Sequence, residues 1–194
     1  DIQIYNRALT NAEIQILQRQ PNKRIQLSGP TVQGDMGGSP SGIVGADQRC
    51  PVGYKAMIVD GTNRRACTTA NCAGGMAEHI DWVLRPNITY VTNPAGLTVF
   101  TADWNSVWNF AGTPPTGGNF VNEIFNSSQA TWTGLNGTWQ VANSGSDLDC
   151  GNWGSAFVGD AGAFGRTNGL GANAIFNSTS TCDDAGNYLY CVQQ

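Results

Sequence analysis

The sequence predicts a mixed α+β domain, rich in short strands, with few short helices and with long loops tied down by disulfides. Three observations carry this. The β-branched and aromatic runs are short and are separated by Gly, Pro and Asn turn chemistry. Only two stretches read as helices. Six cysteines occur with no Cys-x-x-Cys pair, and the single histidine is His79. That inventory favours disulfides over a zinc site. Disulfides imply an oxidising, extracellular compartment.

The 194 residues suit one domain with a small appendage. Charged residues make up 12% of the chain, against about 25% in typical soluble domains. Glycine is abundant at 25 residues and the net charge is −4. The ten basic residues are scattered and form no stripe, which argues against a nucleic-acid partner. No apolar run reaches about 18 residues, so no membrane span is expected. No repeat of about 20 to 50 residues occurs.

Taken in order, Asp1-Ile2-Gln3-Ile4-Tyr5 alternates as a short strand. Thr10-Asn11-Ala12-Glu13 is a capping box, opening a helix to about Arg19 that Pro21 stops. This strand and helix resemble the end of a laminin-G or concanavalin-like sandwich. Residues 1–28 therefore read as the tail of an upstream domain or a linker, or equally as a helical lead-in, and residues 29–194 as the main domain. Ser41 can cap a short helix running to Cys50, ended by Pro51 and Gly53. Strands are expected at Tyr54 to Asp60, Asp81 to Leu84, Thr89 to Val91, Leu97 to Phe100 and Phe120 to Phe125. Trp104 and Trp108 sit four apart and can share an aromatic face, buried or at an interface.

The C-terminal third opens with Thr131-Trp132-Thr133-Gly134-Leu135 and closes with Leu189-Tyr190-Cys191-Val192. Trp132, Leu135, Leu189 and Val192 are core candidates. Between them, Asn136 to Tyr188 is a Gly-, Asn-, Ser- and Asp-rich run that reads as poor in core residues. Cys150, Cys182 and Cys191 are its expected staples. Irregular loops held rigid on a scaffold are where recognition usually sits.

Cys50 on an early helix, Trp132-Thr133-Gly134-Leu135, Cys150-x-x-Trp153, Cys182 and Tyr190-Cys191-Val192 together resemble a C-type-lectin-like domain. Tyr54-Lys55-Ala56, Val59-Asp60-Gly61-Thr62-Asn63-Arg64, Ala66-Cys67-Thr68, Asn71-Cys72 and Asp81-Trp82-Val83-Leu84-Arg85-Pro86-Asn87 are similar to the bacterial DUF1554 domain of Leptospira-type surface proteins and lipoproteins. The resemblance spans about Gly34 to Gln194. It implies a C-type-lectin-like fold, a surface or secreted location, and the pairs Cys50–Cys191 and Cys150–Cys182. The short spacing of Cys67 and Cys72 supplies the third pair. Calcium-dependent sugar-binding lectins carry Glu-Pro-Asn or Gln-Pro-Asp in the long loop. Neither occurs here, and Trp153 is followed by Gly154-Ser155.

Several residues stand out as ligand candidates, each with a plainer alternative. Trp139 in the Gly- and Asn-rich loop can stack on a sugar or apolar face if exposed. Asn143, Asp147, Asp149 and Asn152 share its stretch, and Asp184 and Asn187 follow Cys182. Asp147, Asp149, Asp183 and Asp184 are weak calcium candidates, with solvated loop acids as the alternative. No other cofactor is expected. His79, beside Glu78 and Asp81, reads as a surface or hairpin residue, and no catalytic motif occurs. The expectation is a secreted or cell-surface bacterial binding module, an adhesin for glycan or host matrix protein, and not an enzyme. The alternative is an assembly domain that contacts sibling subunits.

Overall fold

The computed structural model describes residues 21–114, 117–143 and 148–194. The strand and helix expected within residues 1–20 lie outside that range. The fold is β-rich, with eight short strands and little helix among the described residues.

Strand β8 (Tyr188–Gln193) is the centre of the sheet. On one side it pairs antiparallel with β1 (Lys23–Leu27), Ile25 opposite Val192. On the other it pairs in parallel with β5 (Ala130–Trp132) and then antiparallel with β2 (Tyr54–Ala56). Beyond β1 lie β3 (Thr89–Thr92) and β4 (Thr98–Thr101). Beyond β5 lie β6 (Ala161–Arg166) and β7 (Ser178–Thr181).

Period-two alternation along β8 explains how one sheet serves two cores. Tyr190 and Val192 join an aromatic core with Trp82, Tyr90, Phe100, Trp108 and Trp139. Leu189 joins a second core with Met36, Ile43, Trp132, Trp153 and Phe164. The second core is covered by helix α1 (Gly42–Gln48). Cys191 ties β8 to the end of that helix through Cys50. Cys150–Cys182 and Cys67–Cys72 complete the set, and no free cysteine remains.

Buried charge locks the helix to the sheet. The Arg64 guanidinium, fully buried, donates to both Asp47 oxygens at 2.8 Å, to the Ala56 carbonyl at 2.8 Å and to Asp81. Lys55 also reaches Asp81. Burial alone would lower the Arg64 pKa, but the two carboxylates outweigh it and raise it.

Several expectations are corrected. Lys23–Leu27 is a strand between β3 and β8, so the boundary at residue 28 cuts through the main sheet. Ser41 precedes α1, but its hydroxyl makes no cap hydrogen bond. The strand at Tyr54 ends at Ala56, although the extended backbone continues with Met57 and Val59 facing one core and Ile58 the other. Asp81 to Leu84 and Phe120 to Phe125 form no strand. Between Asn136 and Tyr188, Trp139, Leu148, Trp153, Phe164 and Ile175 are all buried, so this run is a major supplier of core. It also holds β6 and β7, whose Gly, Ser and Thr content hides them from propensity.

Candidate functional site

Among the described residues expected to recognise a ligand, Trp139, Asp149 and Asn187 are buried and so cannot share an open face with Asn143 and Asn152. Trp139 is 0% exposed. Its ring stacks on Phe110, meets Trp82 edge-on, and donates Nε1 to the Trp108 carbonyl at 2.6 Å. This overturns its expected role, since no ligand can reach a ring sealed in the core. The local cause is an Asx turn. Asn136 Oδ1 accepts from Thr138 N, Thr138 Oγ1 and Gln140 N, which pairs three of the loop's donors within the loop itself. Trp139 itself sits in the left-handed region at φ 68°, which turns its side chain inward.

Asp149 is buried, and its side chain accepts the Asn152 amide at the start of the short helix α2 (Cys150–Trp153). Asn152 and Asn143 are exposed. The Cys150–Cys182 bridge tethers Asp149 and Asn152 to the turn holding Asp184 and Asn187. Asp184 accepts the Gly186 amide and the Ser180 hydroxyl, and the first of these bonds leads in holding its carboxyl below its ordinary pKa. Asn187 is fully buried and lies near enough to Asp184 to add to that effect, without a hydrogen bond of normal geometry. Both Asp149 and Asp184 therefore hold turns. Asp183 is exposed, and Asp147 lies outside the described residues. Among the described residues, no group of three or more His, Cys, Asp or Glu is placed to hold a metal ion.

The acid and histidine near Trp82 are also structural. Glu78 accepts from the amides and hydroxyls of Thr68 and Thr69 and from the Gly74 amide. Burial raises its pKa, but the donors outweigh that and pull it down from 4.5 to about 2. His79 turns Nδ1 to the Ala66 carbonyl and Nε2 to the Asn105 carbonyl.

An open groove lies elsewhere. Its cavity is about 550 Å³, walled by the Thr92 to Leu97 turn, residues 121–126 and Leu170. The turn is closed by Gly96 N to Thr92 O and Thr92 N to Leu97 O. Residues 120–125 lie along the outer edge of β4. Val121 N donates to Val99 O at 2.8 Å and Asn122 Nδ2 to Thr98 O at 2.8 Å. Phe120 N donates to Leu170 O and Phe125 N to Thr167 O, which fixes the far wall. Phe120 and Ile124 are buried, Phe120 stacked on Phe100. That i, i+4 inward spacing turns Val121 and Phe125 outward, where period-two alternation would have paired other residues. Leu97, Val121, Phe125 and Leu170 are all exposed. The sequence signal for this groove is faint, because singly exposed apolar residues are ordinary and only the fold gathers these four.

One comparison places the chain among known proteins. Residues 31–170 match the family described as Protein of unknown function (DUF1554), and the chain belongs to that family. A search of curated proteins finds no match to it.

Proposed function

We propose that this DUF1554 chain is an extracellular or cell-surface bacterial binding module, an adhesin that captures protein ligands in the groove between the Thr92 to Leu97 turn and residues 121–126. The observation that carries the reading is the clustering of four exposed apolar side chains around one cavity of about 550 Å³. A volume of that size falls in the range of about 300–1,000 Å³ usual for ligand pockets. Contiguous exposed apolar surface of this kind marks interaction sites. The use of all six cysteines in disulfides supports an oxidising location.

The architecture reads as C-type-lectin-like. Its support is the antiparallel contact of β1 with the final strand β8, and the helix cysteine Cys50 bonded to that strand. The ligand class nevertheless differs from that of sugar-binding lectins. The groove sets Leu97, Val121, Phe125 and Leu170 among Thr92, Asn93, Asn122 and Asn126, with one carboxylate, Glu123. One carboxylate is too few for a calcium site, and aliphatic walls suit a protein side chain better than a sugar hydroxyl. A non-catalytic role is consistent with Glu78, Asp47 and Asp81 each being engaged in structural hydrogen bonds. The assembly reading would be favoured by an exposed aromatic face shared by Trp104 and Trp108, and the two rings do not share one. Trp108 is buried and Phe110 packs on Phe120 and Trp139, leaving Trp104 alone outside.

The test is a binding screen on immobilised laminin, fibronectin and collagen and on a glycan array, with and without chelator. The expected result is a chelator-insensitive protein hit that Val121→Asp abolishes while the melting temperature holds. A glycan hit retained by Val121→Asp, or no hit at all, overturns the reading.

A further inference from the structure

We infer that the groove takes an extended peptide segment in which a lysine or arginine is flanked by apolar residues, an inference that rests on the groove being the binding surface. Three features of the same wall point to this occupant.

The first is the backbone. Among the described residues, the N–H and C=O groups of Asn122, Glu123 and Ile124 have no hydrogen-bond partner. Their neighbours Phe120, Val121 and Phe125 all donate to main-chain carbonyls. Unpaired main-chain groups on a fixed wall are what an extended peptide pairs with when it docks by strand-like addition. A small apolar molecule would leave them unanswered.

The second is charge. Glu123 lines the groove and is half-buried. It makes no ion pair or hydrogen bond among the described residues. The lining contains no lysine, arginine or histidine to neutralise it. Arg24 lies nearby but outside the lining, where its guanidinium is held by Asn93 Oδ1. A half-buried carboxylate without a partner is complementary to a cation brought by the ligand, through a charge-assisted hydrogen bond.

The third is the apolar surround. Leu97, Val121, Phe125 and Leu170 are exposed around Glu123, so the ligand's cation must be carried on an apolar body. A lysine or arginine stem between apolar neighbours meets that need. A free metal ion or a polar glycan does not.

The experiment measures binding of short fluorescein-labelled peptides by anisotropy. One peptide carries a single lysine flanked by leucines. The second is the same sequence with acetyl-lysine, which keeps the stem and removes the charge. The third is the lysine peptide N-methylated at alternate amides, which removes its strand-type donors. The wild-type protein is expected to bind the lysine peptide and to bind the other two about tenfold or more weakly. Glu123→Gln is expected to erase the difference between the lysine and acetyl-lysine peptides, and Glu123→Lys to reverse it in favour of the acetyl-lysine peptide. Leu170→Asp should abolish binding of every peptide while the melting temperature stays near that of the wild type. Equal binding of the lysine and acetyl-lysine peptides by the wild type overturns this inference. The groove reading itself then still stands if Leu170→Asp removes both. Failure of the lysine peptide to bind at all also overturns the inference, whereas the groove reading is judged separately by the matrix-protein screen.

Discussion

The loop carrying Trp139 and the loop carrying Val121 and Phe125 are both irregular, both without a strand, and both bear large apolar side chains. They turn those side chains in opposite directions. In the first, Asn136 closes the loop on itself and the bridge of Leu135 to Val141 pins its base. With its polar groups satisfied, the loop can be laid against the core and its indole buried. In the second, the ends are fixed to β4, Thr167 and Leu170, while among the described residues the backbone of Asn122 to Ile124 has no hydrogen-bond partner. Asn122 and Glu123 are only half-buried, so their unpaired main-chain groups are open to water or a ligand, and Val121 and Phe125 beside them are exposed. The direction of a ring is thus decided by where the loop's hydrogen bonds go.

The largest effect that can break this comparison is in the first loop. Trp139→Ala removes a fully buried indole and strands the Trp108 carbonyl. It is expected to destabilise the protein by about 3–5 kcal/mol, which lowers the melting temperature by roughly 6–20 °C for a chain of this size. A melting temperature unchanged by Trp139→Ala would restore this ring as a surface residue.

An intermediate effect comes from the segment on which the Trp139 loop rests. Cys67 N donates to Trp139 O, and Gln140 Nε2 donates to Thr68 O. Glu78 in turn holds Thr68 and Thr69. Its pKa falls from 4.5 to about 2 on folding, so the folded state resists protonation at that carboxyl. The stability it contributes is complete above pH 4.5 and is lost as the pH falls towards 2. Urea midpoints measured across that window should fall steeply for the wild type. Glu78→Gln should be less stable at neutral pH and show a shallower acid limb. An identical slope for both would assign the acid sensitivity to other groups.

The smallest stability effects belong to the second loop. Val121→Asp in that loop alters an exposed side chain and should change stability by no more than about 0.5 kcal/mol, as should Trp104→Ala, an exposed ring outside both loops. A large loss for Val121→Asp would mean that this wall is packed rather than open.

Much of the scaffold was legible in the sequence and the candidate site was not. The resemblance around Cys50, Cys150, Cys182 and Cys191 implied the two long-range disulfides, and the structure contains them. Trp132, Leu135, Leu189 and Val192 are core as expected, and β8 falls on its apolar run. Lys23–Leu27 was missed because Lys, Arg and Gln dilute its apolar pattern, although pairing on both sides makes it a central strand. Strand β7, Ser-Thr-Ser-Thr, carries no apolar signal at all. Trp139 departs from expectation because the polar loop around it is not a wet one: Asn136 uses that polarity to close the loop over the ring. The groove joins residues from positions 92–97, 121–126 and 170, and no local pattern announces such a gathering.

The most direct test of where recognition resides is an amide hydrogen-exchange footprint of the full chain, with and without the matrix protein that binds in the screen. Ligand contact at the groove predicts slowed exchange at Asn122, Glu123 and Ile124 and along residues 92–97, with 136–143 unchanged. Protection confined to residues 136–143 and 148–153, with the groove amides unaffected, would contradict the assignment of the open face to the second loop.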